Sequence, residues 1–128
     1  MGKPILCLDF DGVLHSYTSG WKGANVVSDP PVEGATLFLA EAVEKFEVHV
    51  FSSRSNQEGG IEAMRKAITL WVTSDFDYDR ATYVISEIKY PTEKPPAMVS
   101  IDDRAITFEG KWPAMDTLLQ FKPWNKRV

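Results

Sequence analysis

An α/β domain built on a parallel sheet is what this sequence predicts, and three observations carry the prediction. Short apolar runs, Ile5–Leu8, Val48–Phe51 and Ala97–Ile101, are separated by stretches with helical spacing. Chemistry-bearing residues stand directly after those runs: Asp9 and Asp11, Ser52 to Asn56, then Asp102 and Asp103. In a parallel sheet the crevice lies beyond the carboxyl ends of the strands, so these groups should meet there.

The first run, Ile5 to Leu8, reads as a strand buried on both faces. Asp9 and Asp11 follow at i and i+2, a spacing that puts both carboxylates on one side of an extended chain, and Gly12 lets the backbone turn away. Two adjacent carboxylates repel, and a cation is the usual remedy; a solvated Asp-Gly turn is the plainer alternative. Residues 15–32 form a polar loop with no sustained period, long enough to suggest a role beside the site. Tyr17 and Trp21 are candidate pocket walls or packing residues, and His15 is either a general base or a histidine making a loop hydrogen bond.

Ala35, Leu37, Phe38, Leu39, Ala42, Val43 and Phe46 predict a helix within 32–46, with Pro31 near its start. Val48–Phe51 is the second strand. Ser52, Ser53 and Arg54 after it suit a phosphoryl group, since hydroxyls, backbone N–H groups and a cation all favour its oxygens; a serine-rich helix cap is the alternative. Gly59-Gly60 precede a second helical pattern through Val72. Asp75, Asp77 and Asp79 have the beginning of a calcium-loop spacing but lack its glycine and distal glutamate, so 73–81 reads as a solvated turn. Ala81–Ile88 is expected to be a third strand, 89–96 a proline-rich turn with Lys89 and Lys94, and Ala97–Ile101 a fourth strand. A helix is expected from Pro113 to Phe121, followed by a basic tail, Lys122–Val128, that is docked or frayed.

Composition sets the outer limits. The 128 residues suit a single domain spanning 1–128, and 44% hydrophobic with 25% charged residues is ordinary globular composition. A net charge of −4 argues against general nucleic-acid binding and leaves any attraction for phosphate to local groups. Cys7 is alone and can form no internal disulfide. No apolar stretch suits a signal peptide or a membrane span, so a soluble cytoplasmic protein is expected. Oligomeric state is open.

Taken together, Asp9-Phe10-Asp11-Gly12-Val13, Ser52 after its strand, Lys94-Pro95 and Asp102-Asp103 resemble, in order, the four motifs of the haloacid dehalogenase (HAD) superfamily of phosphohydrolases. The resemblance spans residues 9–103. It implies a doubly wound, Rossmann-like parallel sheet, with no insertion large enough for a cap domain. It further implies a Mg²⁺-dependent phosphatase in which Asp9 becomes an aspartyl-phosphate and Asp11 is the acid and base. Ser52, Ser53, Arg54 and Lys94, with Lys89 as the alternative lysine, would bind the phosphorylated substrate. Asp9, Asp11 through its backbone carbonyl, Asp102 and Asp103 would hold the metal. An open site suits a phosphate on something large, such as a nucleic-acid end, a nucleotide or a phosphopeptide. The rival expectation is a receiver-like or non-catalytic phosphate-binding signalling domain. Receiver domains have their acid pair early and the acceptor aspartate later, the reverse of the order here.

Overall fold

Strand β1, Ile5–Leu8, forms where the sequence is most apolar, and it is interior: it pairs in parallel with β2, Glu47–Val50, on one side and with β4, Val99–Ile101, on the other. A two-residue strand β3, Ile88–Lys89, extends the sheet beyond β2, giving the all-parallel order β3-β2-β1-β4. The computed structural model describes residues 2–126. The expectation of a parallel α/β sheet with the first acid-bearing strand inside it is met.

Register decides which side chains meet. Leu6 and Leu8 align with Val48 and Val50, and these four, with Ile88, point toward the helices and are buried. Helix α1, Ala35–Lys45, follows Gly34, whose φ of 85° only glycine adopts without strain, and it buries Leu39, Ala40 and Val43. Helix α2, Gly60–Asp75, contributes Met64, Ile68 and Val72. Here Gly60 is a packing requirement: a Cβ on it would lie 1.9 Å from the carbonyl oxygen of Arg54. The helix could not start so close to the Ser52–Asn56 turn with any other residue.

The expected third strand over Ala81–Ile88 is a correction. Residues Tyr78–Ser86 are helix α3, and only Ile88–Lys89 is strand. The β-branched run misled, while two helical features won. Asp77 is the N-cap, its carboxylate accepting from the Arg80 N–H at 2.9 Å, and Ala81 and Val84 sit three apart on the buried face. The acidic stretch 73–81 is largely solvent-exposed as expected, but it is the junction of two helices rather than a turn, with Asp75 closing α2 and accepting from the Thr36 hydroxyl. The last predicted helix shrinks to α4, Met115–Leu119, and Trp124–Lys126 make a 3-10 turn.

Stepping in one direction from β1 to β2 to β3 with right-handed crossovers puts α1, α2 and α3 on the same face, where they pack on one another. The return to β4 is made by 90–98 without a helix. This departs from the second helical layer that a doubly wound sheet carries. Tyr90, stacked under the Arg65 guanidinium, and buried Pro95 hold that crossing down. No helix among the described residues is long and apolar enough to cross a membrane.

Candidate functional site

The carboxyl ends of β1, β2 and β4 open into a cavity of about 400 Å³ lined by Asp9, Asp11, Tyr17, Trp21, Phe51, Ser52, Ser53, Asp102, Asp103 and Arg104. Asp9 continues the ladder, its N–H donating to the Ile101 carbonyl at 3.0 Å, which brings β4's acid pair beside it. Oxygens of Asp9, Asp102 and Asp103 lie within 4.8 Å of one another, a group able to hold a metal ion. Asp103 Oδ1 is buried without a hydrogen-bond partner, an orphaned acceptor of the kind a cation satisfies. The same carboxylate explains Gly12. A Cβ there would stand 2.2 Å from Asp103 Oδ2, and the backbone has φ +83°.

Burial pushes the Asp9 carboxyl up to about 8, with the charges of Asp102 and Asp103 adding to the effect and the Phe10 N–H, 2.8 Å from Oδ1, opposing it.

Asp11 stands apart from this group. Its two oxygens are gripped by a guanidinium, Arg54 Nε to Oδ2 at 2.9 Å and Nη2 to Oδ1 at 3.1 Å, and by His15 Nδ1 at 2.8 Å. Burial raises its pKa, but hydrogen bonds from His15 and Arg54 and the Arg54 charge outweigh burial and hold it below the ordinary carboxylate range. His15 Nε2 accepts from the Asp29 N–H at 3.1 Å, so in the neutral ring the proton sits on Nδ1, donated to Asp11. His15 is thus the loop-bonding histidine of the plainer expectation, with Asp11 as its second partner.

Arg54 was grouped from the sequence with the phosphate-binding residues, but it is fully buried and its donors are committed. Besides Asp11, its Nη1 donates to the carbonyls of Gly23, Ala24 and Val26 at 3.1, 2.9 and 2.8 Å. It ties the 15–32 loop to the acid, and Trp21 stacks on its guanidinium at 5.0 Å. The loop closes on itself through Ser16 N–H to Pro30 O, Val32 N–H to Leu14 O and Ser19 to Asp29. It flanks the cavity as expected, placing Tyr17 there with φ 60°, an uncommon conformation for a non-glycine residue.

The hydroxyls divide. Ser52 is buried, and its Oγ accepts from the Arg54 N–H at 3.0 Å, whereas Ser53 is exposed on the cavity wall. Neither lysine lines the cavity. Lys89 pairs with Glu47 at 3.0 Å near the opposite end of the sheet, and Lys94 is exposed on the 90–98 crossing. Arg104 is the Lys/Arg side chain among the lining residues, and sequence reasoning gave it no role. Its signal was a cation directly after an acid pair at a strand end. The backbone supports it, since its N–H donates to Asp102 Oδ1 at 2.8 Å.

Two predictions follow from this geometry. Arg54→Met leaves three loop carbonyls without this donor and Asp11 with His15 alone, and losing one partner of a buried pair costs about 3–5 kcal/mol. Chemical denaturation should show a loss of that order, and Arg54→Lys, lacking the fork, should recover less than half of it. The second concerns protons. Between about 4 and 8 the folded protein keeps a proton on Asp9 that the unfolded chain releases, so stability of the metal-free protein should fall as pH rises through that window. Thermal melts from pH 5 to 8 should show the fall in the wild type and a flatter profile in Asp9→Asn; parallel profiles would assign the pH dependence to other groups.

No family model, no curated protein and no solved structure matches this chain.

Proposed function

We propose that this domain is a divalent-cation-dependent phosphomonoesterase of the haloacid dehalogenase type, with Asp9 as nucleophile. The observation that carries the reading is the meeting of Asp9 with Asp102 and Asp103 around a buried, unpartnered Asp103 oxygen, in a cavity that Ser53 also lines. All-oxygen, all-anionic donors favour a hard cation. Mg²⁺ held by Asp9, Asp102 and Asp103 would supply the positive charge that ionises Asp9 and lets it approach a phosphoryl dianion.

The remaining work belongs to the chain. With Oδ1 of Asp9 fixed by the Phe10 N–H, the other oxygen forms a bond to phosphorus. The ester P–O bond breaks and its electron pair leaves with the alcohol oxygen. Water then attacks the aspartyl-phosphate, giving inorganic phosphate and regenerating Asp9. Ser52, Ser53 and Arg104 line the space where the phosphoryl oxygens would lie, with Arg104 in the cationic role that the motif resemblance gave to Lys94. Asp11, held ionised by Arg54 and His15, is set up to take the proton of the attacking water. Its depressed pKa makes it a weaker donor to the leaving group, which favours leaving groups stable as anions.

Trp21, 47% exposed, and Tyr17 border the mouth, so a leaving group with a flat ring, as in a nucleotide or a nucleic-acid end, fits the walls. The setting we propose is the cytoplasm, where Cys7, buried in β1, stays reduced.

Phosphate release from p-nitrophenyl phosphate, nucleotides and 3′-phosphorylated oligonucleotides, with Mg²⁺ and with chelator, tests the reading. Turnover should need the cation and vanish in folded Asp9→Asn. In Asp11→Asn the chromophore should appear as a burst of about one equivalent, followed by a steady state slowed about 10²–10⁴-fold. Arg104→Ala should raise KM more than Lys94→Ala. Wild-type turnover in Asp9→Asn, or phosphorylation without phosphate release, would sink the hydrolase; the second outcome would favour the receiver-like alternative.

A further inference from the structure

After β4 the chain leaves the body. Residues 105–121 run out from the acid pair and return to it. One end is fixed by Arg104 N–H on Asp102, the other by Trp124 Nε1 donating to the Gly12 carbonyl at 2.7 Å and Asn125 to the Ser16 carbonyl. Between these anchors the side chains are almost all exposed although many are apolar: Trp112 is 85% exposed, Leu119 83% and Met115 73%. Phe108 and Trp112 contact only each other's rings at 4.6 Å among the aromatic pairs, and α4 buries nothing. The arm's apolar side chains, Ile106, Phe108, Trp112, Met115 and Leu118 among them, surround an open hollow of about 830 Å³. A five-residue helix has no stability of its own in water, so this segment needs a surface to lie on.

The body carries a matching defect. Because the return to β4 brings no helix, Val99 and Ile101, on the sheet face that α1 to α3 cover elsewhere, remain 48% and 40% exposed. Beside them is a shallow groove of about 200 Å³ lined by Leu8, Leu14, Val32, Phe38 and Ile101, with exposed Leu37 next to Phe38 on α1. The outer edge of β4 pairs with no other described strand.

We propose that two copies of this chain exchange arms, residues 105–121 of each lying in the α1–β4 groove of the other. The area of the arm supports a second copy as the occupant. Six large apolar side chains, Ile106, Phe108, Trp112, Met115, Leu118 and Leu119, are 42–85% exposed and present on the order of 700 Å² per arm, and standard interfaces bury about 800 Å² per partner. The arm itself is nearly neutral, with Lys111 against Glu109 and Asp116, and Lys111 can meet Glu33 in the groove. Reciprocal exchange doubles the contact and closes it by two-fold symmetry, which leaves no free arm or groove for further growth.

Sedimentation equilibrium from 1 to 100 µM should give twice the 14.4 kDa chain mass. The arm variant Trp112→Ser/Leu119→Ser and the groove variant Phe38→Asp alter exposed side chains outside the buried core, so circular dichroism should remain native while each sediments as a monomer. Mixed one to one, they should re-form a dimer with one intact contact, weaker than wild type by at least tenfold. A wild type that stays monomeric at 100 µM would overturn the exchange, leaving the arm to its own groove or to a different protein. So would a dimer that survives both variants, or folded variants that fail to complement when mixed.

Discussion

Four carboxylates converge at one end of a parallel sheet, and how their charge is compensated shapes everything around them. Asp11 is settled within the protein by a fully buried guanidinium and a histidine N–H. Asp9, Asp102 and Asp103 are not. They face one another, one oxygen has no partner, and Asp9 answers by holding its proton to about 8. The division is physical rather than incidental. An arginine fork needs a planar approach to one carboxylate, which the Ser52–Asn56 turn provides from the side, while three acids around a point leave room for a small cation.

Arg54 does more than balance charge. Its remaining donors meet three consecutive-region carbonyls of the 15–32 loop, so the ion pair and the loop form together. That explains how a long segment without regular structure stays placed. It also explains why Gly60 must lack a side chain, because the helix behind the turn abuts the arginine's own carbonyl.

Much of this was legible from residue order. Alternating apolar runs and helical spacings fix the parallel sheet, and acids at i and i+2 before a glycine point to the cavity. What escaped reading depended on partners distant in sequence. Arg54 reads as a surface cation in a serine-rich turn; only the fold reveals Asp11 and three carbonyls around it. His15 and Asp29 are fourteen residues apart, and the hydrogen bond that selects the ring tautomer has no local signature. Ala81–Ile88 reads as a strand by β-branching, yet the Asp77 cap and the buried pair Ala81 and Val84 make it a helix. The lysines drew attention because a motif expects one, whereas Arg104 is the cation that the β4 terminus actually brings to the cavity wall.

The Trp124 bond to the Gly12 carbonyl sets an order of assembly during synthesis. The turn that presents Asp11 leaves the ribosome 112 residues ahead of the indole that caps it. Asp102 and Asp103 also follow Asp9 and Asp11 at a distance in sequence, so the nascent chain carries the first acid pair without the other half of the site until β4 has been made. The carboxylate cluster is completed only when β4 docks, and the turn is closed only after that. Completion of this centre is therefore governed by contacts that span about a hundred residues rather than by the strand that bears its chief acid.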